Sequence, residues 1–175
     1  MNESNELRIR PALAADLETL LDVAARTFYD AFAATNTPEN MQAYMSTAFT
    51  PEQFRKELDD PQSTFLLAEL AGRAVGYAKL IRSAVPDCIA EPQAIELSRI
   101  YVDQTVLGAG IGPALLRHCF ELARTAGYCA MFLGVWEHNP RAQAFYRKWG
   151  FARVGEHIFQ FGDDPQTDWW MMRRL

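Results

Sequence analysis

Three glycines, Gly108, Gly110 and Gly112, stand on alternate positions and run straight into Pro113 and an apolar periodic segment. Bare backbone ahead of a helix can do chemistry without side chains. The first N–H groups of a helix have no partner within it, and the positive end of its dipole lies there, so a phosphate is held without a lysine. Two familiar phosphate loops are excluded. GxxxxGK[ST] is absent, and GxGxxG fails because Pro113 occupies the position of its third glycine.

The segment before the loop, AIELSRIYV, reads as a strand with a slip in it. Ile95 and Leu97 are apolar at odd positions, Ile100 and Val102 at even ones. One extra residue near Ser98 and Arg99, a β-bulge, moves the buried set from one parity to the other. A bulge leaves backbone groups unpaired, and an extended amide can bind them as an added strand. A ligand that suits both features offers a pyrophosphate to the loop and an amide-bearing arm to the strand. Coenzyme A has both.

Proton-moving groups surround these features. Glu96 lies on the same strand among apolar neighbours, where a carboxylate can take a proton from an attacking amine, directly or through a water. Trp136, Glu137 and His138 follow the strand YCAMFLGV, at the end where α/β sites form. Trp136 can wall an acceptor pocket, Glu137 can meet a cation, and His138 is an alternative base. In NPRAQAFYRKWG, the spacing of Phe145, Tyr146 and Trp149 by itself is that of an aromatic packing face.

The elements that must position these residues are readable around them. LRIR is a short strand ended by Pro11, followed by a helix whose apolar residues, Leu13 to Phe32, recur at three- and four-residue steps. Two more helices open on Thr37-Pro38 and Thr50-Pro51, each a capping threonine before a proline. TFLLAEL and AVGYAKLIR form a hairpin about Ala71-Gly72-Arg73. A helix is expected from Pro113 to about Ala126 with Gly127 after it, and another from Pro140, capped by Asn139, to Gly150. The tail gives two strands separated by a GDDPQ turn.

Length and composition set the class. The chain has 175 residues, about half of them apolar, and no repeat or linker, so residues 1–175 read as one α/β domain. Its net charge of −5 disfavours nucleic acid and mildly favours a cationic ligand. No apolar run approaches the roughly 20 residues of a membrane span, and the polar start lacks a secretory signal, so the expectation is a cytoplasmic protein. Three cysteines without CxxC spacing and three scattered histidines point to neither a disulfide framework nor a metal site.

LSRIYVDQTVLGAGIGPALL and NPRAQAFYRKWGF, with the order of elements from residue 7 to 175, resemble the GNAT family of acetyl-coenzyme A dependent N-acetyltransferases. The resemblance implies a mixed, mostly antiparallel seven-stranded sheet, flanked by about four helices and splayed between the fourth and fifth strands. It implies direct transfer of acetyl to an amine in a ternary complex. Coenzyme A would be held along Ile100, Tyr101 and Val102, on the loop from Leu107 through Gly108, Ala109, Gly110, Ile111 and Gly112 to Pro113, and by Asn139. Tyr146 aligns with the tyrosine beside the thioester sulfur. Leu107 replaces the usual Gln or Arg, removing a side-chain contact and leaving the backbone seat untouched.

FYDAF, NTPENMQAY and VGEHIFQFGDDPQTDWWM are similar to a bacterial subgroup that includes polyamine acetyltransferases, which implies spermidine or spermine as acceptor. Asp30, Glu39, Glu96 and Glu137 would meet its charges, while Asp163, Asp164 and Asp168 make a turn. Acceptors of other classes are a peptide N-terminus or lysine. A regulatory module that binds acyl-CoA without turnover is the non-enzymatic alternative, and a homodimer is common in the family.

Overall fold

The computed structural model describes residues 6–175. Seven strands form one sheet in the order β1-β2-β3-β4-β5-β7-β6. They are β1 (Leu7–Pro11), β2 (Ser63–Leu70), β3 (Arg73–Ile81), β4 (Ala94–Val102), β5 (Ala130–Trp136), β6 (Ala152–Phe161) and β7 (Asp164–Arg174). The helices are α1 (Leu17–Phe32), α2 (Pro38–Ala48), α3 (Pro51–Asp59), α4 (Ile111–Thr125) and α5 (Pro140–Lys148). Five helices, rather than about four, flank the sheet because two separate Thr-Pro starts divide α2 from α3. Thr37 accepts from the Asn40 N–H at 3.2 Å and Thr50 from the Gln53 N–H at 3.1 Å, so each start has its own cap.

Every strand pair but one is antiparallel. The exception, β4 with β5, pairs only at Ala94, Ile95 and Glu96. Beyond Glu96 the two strands part, and this split makes room for a site. The expected bulge is present: Lys79 of β3 faces Arg99, while Leu80 faces Leu97, so Ser98 is the extra residue. Its effect is visible in the core. Ile95, Leu97, Ile100 and Val102 all pack into one cluster beneath α4, despite their change of parity. By the same register Glu96, Arg99 and Tyr101 share the opposite face, with Tyr101 stacked on Tyr77 at 5.9 Å between ring centroids.

Two core clusters sandwich the sheet. On one face Leu115, Leu116 and Cys119 of α4 pack on Met131 and Leu133 of β5, all fully buried or nearly so. On the other face Leu20, Val23, Phe54, Phe65 and Tyr77 pack α1 and α3 against β2 and β3. The final turn is tighter than the sequence suggests. Phe161 pairs with Asp164, so only Gly162 and Asp163 turn, and Asp164 and Asp168 belong to β7. Pro165 is tolerated because β7 meets β5 only from Asp168 onward. Among the described residues no helix is long and apolar enough to cross a membrane.

Candidate active site

A cavity of about 730 Å³ opens where β4 and β5 part. The lining divides by element. The glycine loop and the starts of α4 and α5 contribute Leu107, Gly108, Gly110, Ile111, Gly112, Pro113, Asn139, Arg141 and Ala142. The facing strands contribute Glu96, Ile100, Tyr101, Val102, Val135 and Trp136, with Phe145 and Tyr146 from α5. A third group from α1, α2, β6 and β7 is largely aromatic, with Phe28, Phe32, Tyr44, Phe159 and Phe161 beside His157, Gln166 and Asp168.

The loop is built by its glycines. A short helical turn, Gln104–Val106, follows Asp103, whose buried carboxylate accepts from the Thr105 N–H and hydroxyl and from Arg26 and Arg73. Gly108 and Gly110 then take φ of 87° and 81°, the left-handed region that side chains disfavour. Gly110 is the residue that caps α4, so the helix starts at Ile111, two residues before the expected Pro113. Pro113 sits in the first turn, where its missing N–H costs nothing. Among the described residues the N–H groups of Gly108, Gly110, Ile111 and Gly112 have no partner. Those of Leu107 and Ala109 are tied to the carbonyls of Gln104 and Val106, and Ala109 lies outside the lining. The unpartnered donors of this run are therefore four amides.

Tyr146 is nearly buried on α5, packed edge-on against Phe145 and Phe151. Burial pushes its hydroxyl well above the ordinary phenol range, with Cys119 adding to the shift, so it stays protonated across neutral pH. Asn139 caps α5 through Oδ1, which accepts from the Ala142 N–H at 3.0 Å. Phe145, assigned from spacing to packing alone, also faces the cavity, whereas Trp149 packs on Phe120. Glu96 is half-buried with no hydrogen-bond or ion-pair partner among the described residues.

The charged acceptor residues are distributed differently from the sequence reading. Asp30 and Glu39 are exposed on α1 and α2 and do not reach the lining. The α1 face that turns inward is the aromatic one of Phe28 and Phe32. Glu137 is also outside it, 3.8 Å from the largely exposed His138, which stands edge-on to Trp136. Trp136 does line the cavity.

Two titratable groups that the sequence reading did not place in the site do line the cavity. Asp168, on β7 rather than in a turn, faces inward, and burial raises its carboxyl pKa, with His157 opposing and Glu137 adding. His157, its cross-strand neighbour on β6, stacks on Trp170 at 3.9 Å and holds a buried Nε2 without a partner. Gly134 leaves room for both: a side chain there would meet His157 Nε2 at 3.1 Å and Asp168 Oδ2 at 3.5 Å. The alternation of His157, Phe159 and Phe161 along β6 was the available signal.

The acetyltransferase (GNAT) family model covers residues 20–151. The chain belongs to the GNAT acetyltransferase family. It is 32 % identical over 160 residues to an uncharacterised N-acetyltransferase of Lactobacillus delbrueckii subsp. lactis, covering 91 % of this chain and 92 % of that one. A Mycobacterium tuberculosis uncharacterised N-acetyltransferase is 35 % identical over 160 residues, 91 % and 98 % of the two chains. The fold is that of the PaiA N-acetyltransferase of Thermoplasma acidophilum in complex with coenzyme A, with a TM-score of 0.77, 21 % identity and coverage of 97 % and 99 %. The GNAT chain is an acetyl-CoA-dependent N-acetyltransferase.

Proposed function

We propose that the chain transfers acetyl from acetyl-CoA to a primary amine by direct attack in a ternary complex. The observation that carries this is the single cavity that joins unpartnered loop amides, a buried tyrosine hydroxyl and an unpaired carboxylate. The amides of Gly108, Gly110, Ile111 and Gly112 would hold the pyrophosphate, and the open edge of β4 after Glu96 would hold the pantetheine amides. Bound there, the cofactor supplies an acetyl group activated as a thioester. Leu107, exposed at the rim, adds no polar contact.

Glu96 takes the proton that the amine must lose, and Tyr146 gives one to the departing sulfur. Asp168 is the second reading for the base, favoured by its raised pKa and its place beside the unpartnered His157 Nε2. A covalent cysteine route has little support. Cys119 is fully buried and its thiol is pushed up to about 12 by burial.

Spermidine and spermine are the acceptors that the sequence resemblance favours. The lining supports a primary amine on an apolar body better, since it offers the carboxylates of Glu96 and Asp168 alongside Arg99 and many rings. The deciding experiment follows free thiol with acetyl-CoA and a panel of polyamines, amino acids, peptides and small amines. Amine-dependent release supports transfer. Binding of acetyl-CoA with no release from any amine supports the non-catalytic module instead.

A further inference from the structure

We infer that the acceptor amine carries a carboxylate and that Arg99 binds it, so the substrate class is an amino acid with a bulky apolar side chain. This rests on the transferase reading and narrows its acceptor. Arg99 lines the cavity, and the bulge at Ser98 sets it on the same face as Glu96. Without the extra residue, positions 96 and 99 would point to opposite faces.

Glu57 of α3 accepts from Arg99 Nη1 at 2.8 Å and Nη2 at 3.1 Å, from Lys79 Nζ at 2.9 Å and from Gln53 Nε2 at 2.8 Å. All its acceptor sites are used. One carboxylate thus serves two cations, and the Lys79 and Arg99 side chains are only 6 % and 17 % exposed. Glu96 also acts on Lys79, so what marks Arg99 for a ligand is its set of unused donors facing the cavity. Arg99 uses two of its five N–H groups, and the other three have no partner among the described residues. Its guanidinium lies over Phe49 and Phe54, which fixes its plane.

The rest of the pocket suits such a ligand. Arg99, Asp168 and Tyr44 line the same cavity, which offers a cation, a carboxylate and an aromatic wall together. Phe28, Tyr44 and Phe161 stack around that wall and would take an apolar body. A zwitterion meets opposite charges at both ends. A polyamine would bring further positive charge against Arg99.

The test compares thiol release with L-phenylalanine, phenylalaninamide, phenethylamine and spermidine, each corrected to its free-amine fraction. The expected result is kcat/KM for phenylalanine at least about 10-fold above the other three, as for a charge-assisted bidentate contact. Arg99→Met leaves Lys79 and Glu57 as a neutral pair, and should raise KM for phenylalanine about 10-fold without changing KM for acetyl-CoA or for phenethylamine. Equal or better turnover of phenylalaninamide, phenethylamine or spermidine overturns the inference, and the wild-type comparison stands even if the variant fails to fold. Should no amine release thiol, transfer itself fails and thermal shift separates the two ideas. Stabilisation by phenylalanine and not by phenylalaninamide would sustain the carboxylate site, and equal shifts would overturn it.

Discussion

The two proton-transfer roles depend on single side chains whose surroundings differ in kind. Tyr146 is walled by rings and stays protonated, so Tyr146→Phe removes a donor while keeping the packing. Its kcat should fall about 100-fold with the Kd for acetyl-CoA unchanged by calorimetry, and kcat for the parent should show no loss on the alkaline side attributable to this phenol. Glu96 and Asp168 are separated by a second comparison. Glu96→Gln is expected to lower kcat about 100-fold, whereas Asp168→Asn should act mainly on KM and also stabilise the fold. The sign follows from the raised Asp168 pKa. Its protonated form is favoured in the folded state, so ionisation above the ordinary carboxylate range works against folding. The Tm gain of Asp168→Asn should therefore be present at pH 7 and vanish as pH falls below about 4, the ordinary carboxylate range. A gain that persists at pH 3 would refute that cause.

At the scale of elements, the loop and the bulge carry the site. Gly110 caps α4 at a φ of 81° with open space where a side chain would go, so Gly110→Ala strains the backbone by about 1–2 kcal/mol without a clash. Relaxing that strain turns the free amides away. The measurable outcome is at least a 10-fold loss of acetyl-CoA affinity with Glu57 and Tyr146 contacts intact. Much of this architecture was legible in the chain. Parity along AIELSRIYV located the bulge, and the Thr-Pro and Asn-Pro pairs located three helix starts, because each signal is local. The start of α4 was misplaced by two residues, since a left-handed Gly110 rather than a proline sets it. Asp168 was grouped with the turn aspartates, although GDDPQ ends at Gln166 and only Gly162 and Asp163 turn. Its place in the cavity depends on β7 lying between β5 and β6, a long-range pairing that no local pattern encodes. Asp30 and Glu39 were chosen for charge, but the helix faces they occupy turn outward while the aromatic faces turn in.

At the scale of the molecule, three ion clusters join elements distant in sequence. Arg10 ties β1 to Glu69 of β2 and to Asp16, Glu57 ties α3 to Lys79 and Arg99, and Asp103 ties the end of β4 to Arg26 of α1 and to Arg73. The Asp16 carboxyl is held at about 2, chiefly by Arg10. Burial would raise Glu57 and Asp103, yet their donors outweigh it and hold both below the ordinary range. A depressed carboxyl pKa contributes stability that is complete above its unfolded value near 4 and is lost as pH falls through the folded value. Three such groups oppose one raised carboxyl, Asp168, so the fold should be stable from pH 5 to 8 and weaken steeply below 4. Asp103→Asn isolates one cluster, because Arg73 would lose its carboxylate and Arg26 would keep only the more distant Asp22, at 3.8 Å. Its loss at pH 7 should be about 1–2 kcal/mol by urea unfolding, below that of a fully buried pair because Arg26 and Arg73 remain partly solvated. As pH falls below the ordinary carboxylate range the unfolded parent takes up its proton first, so the gap should narrow. A gap constant with pH would mean that Asp103 contributes through its neutral hydrogen bonds to Thr105 rather than through its charge.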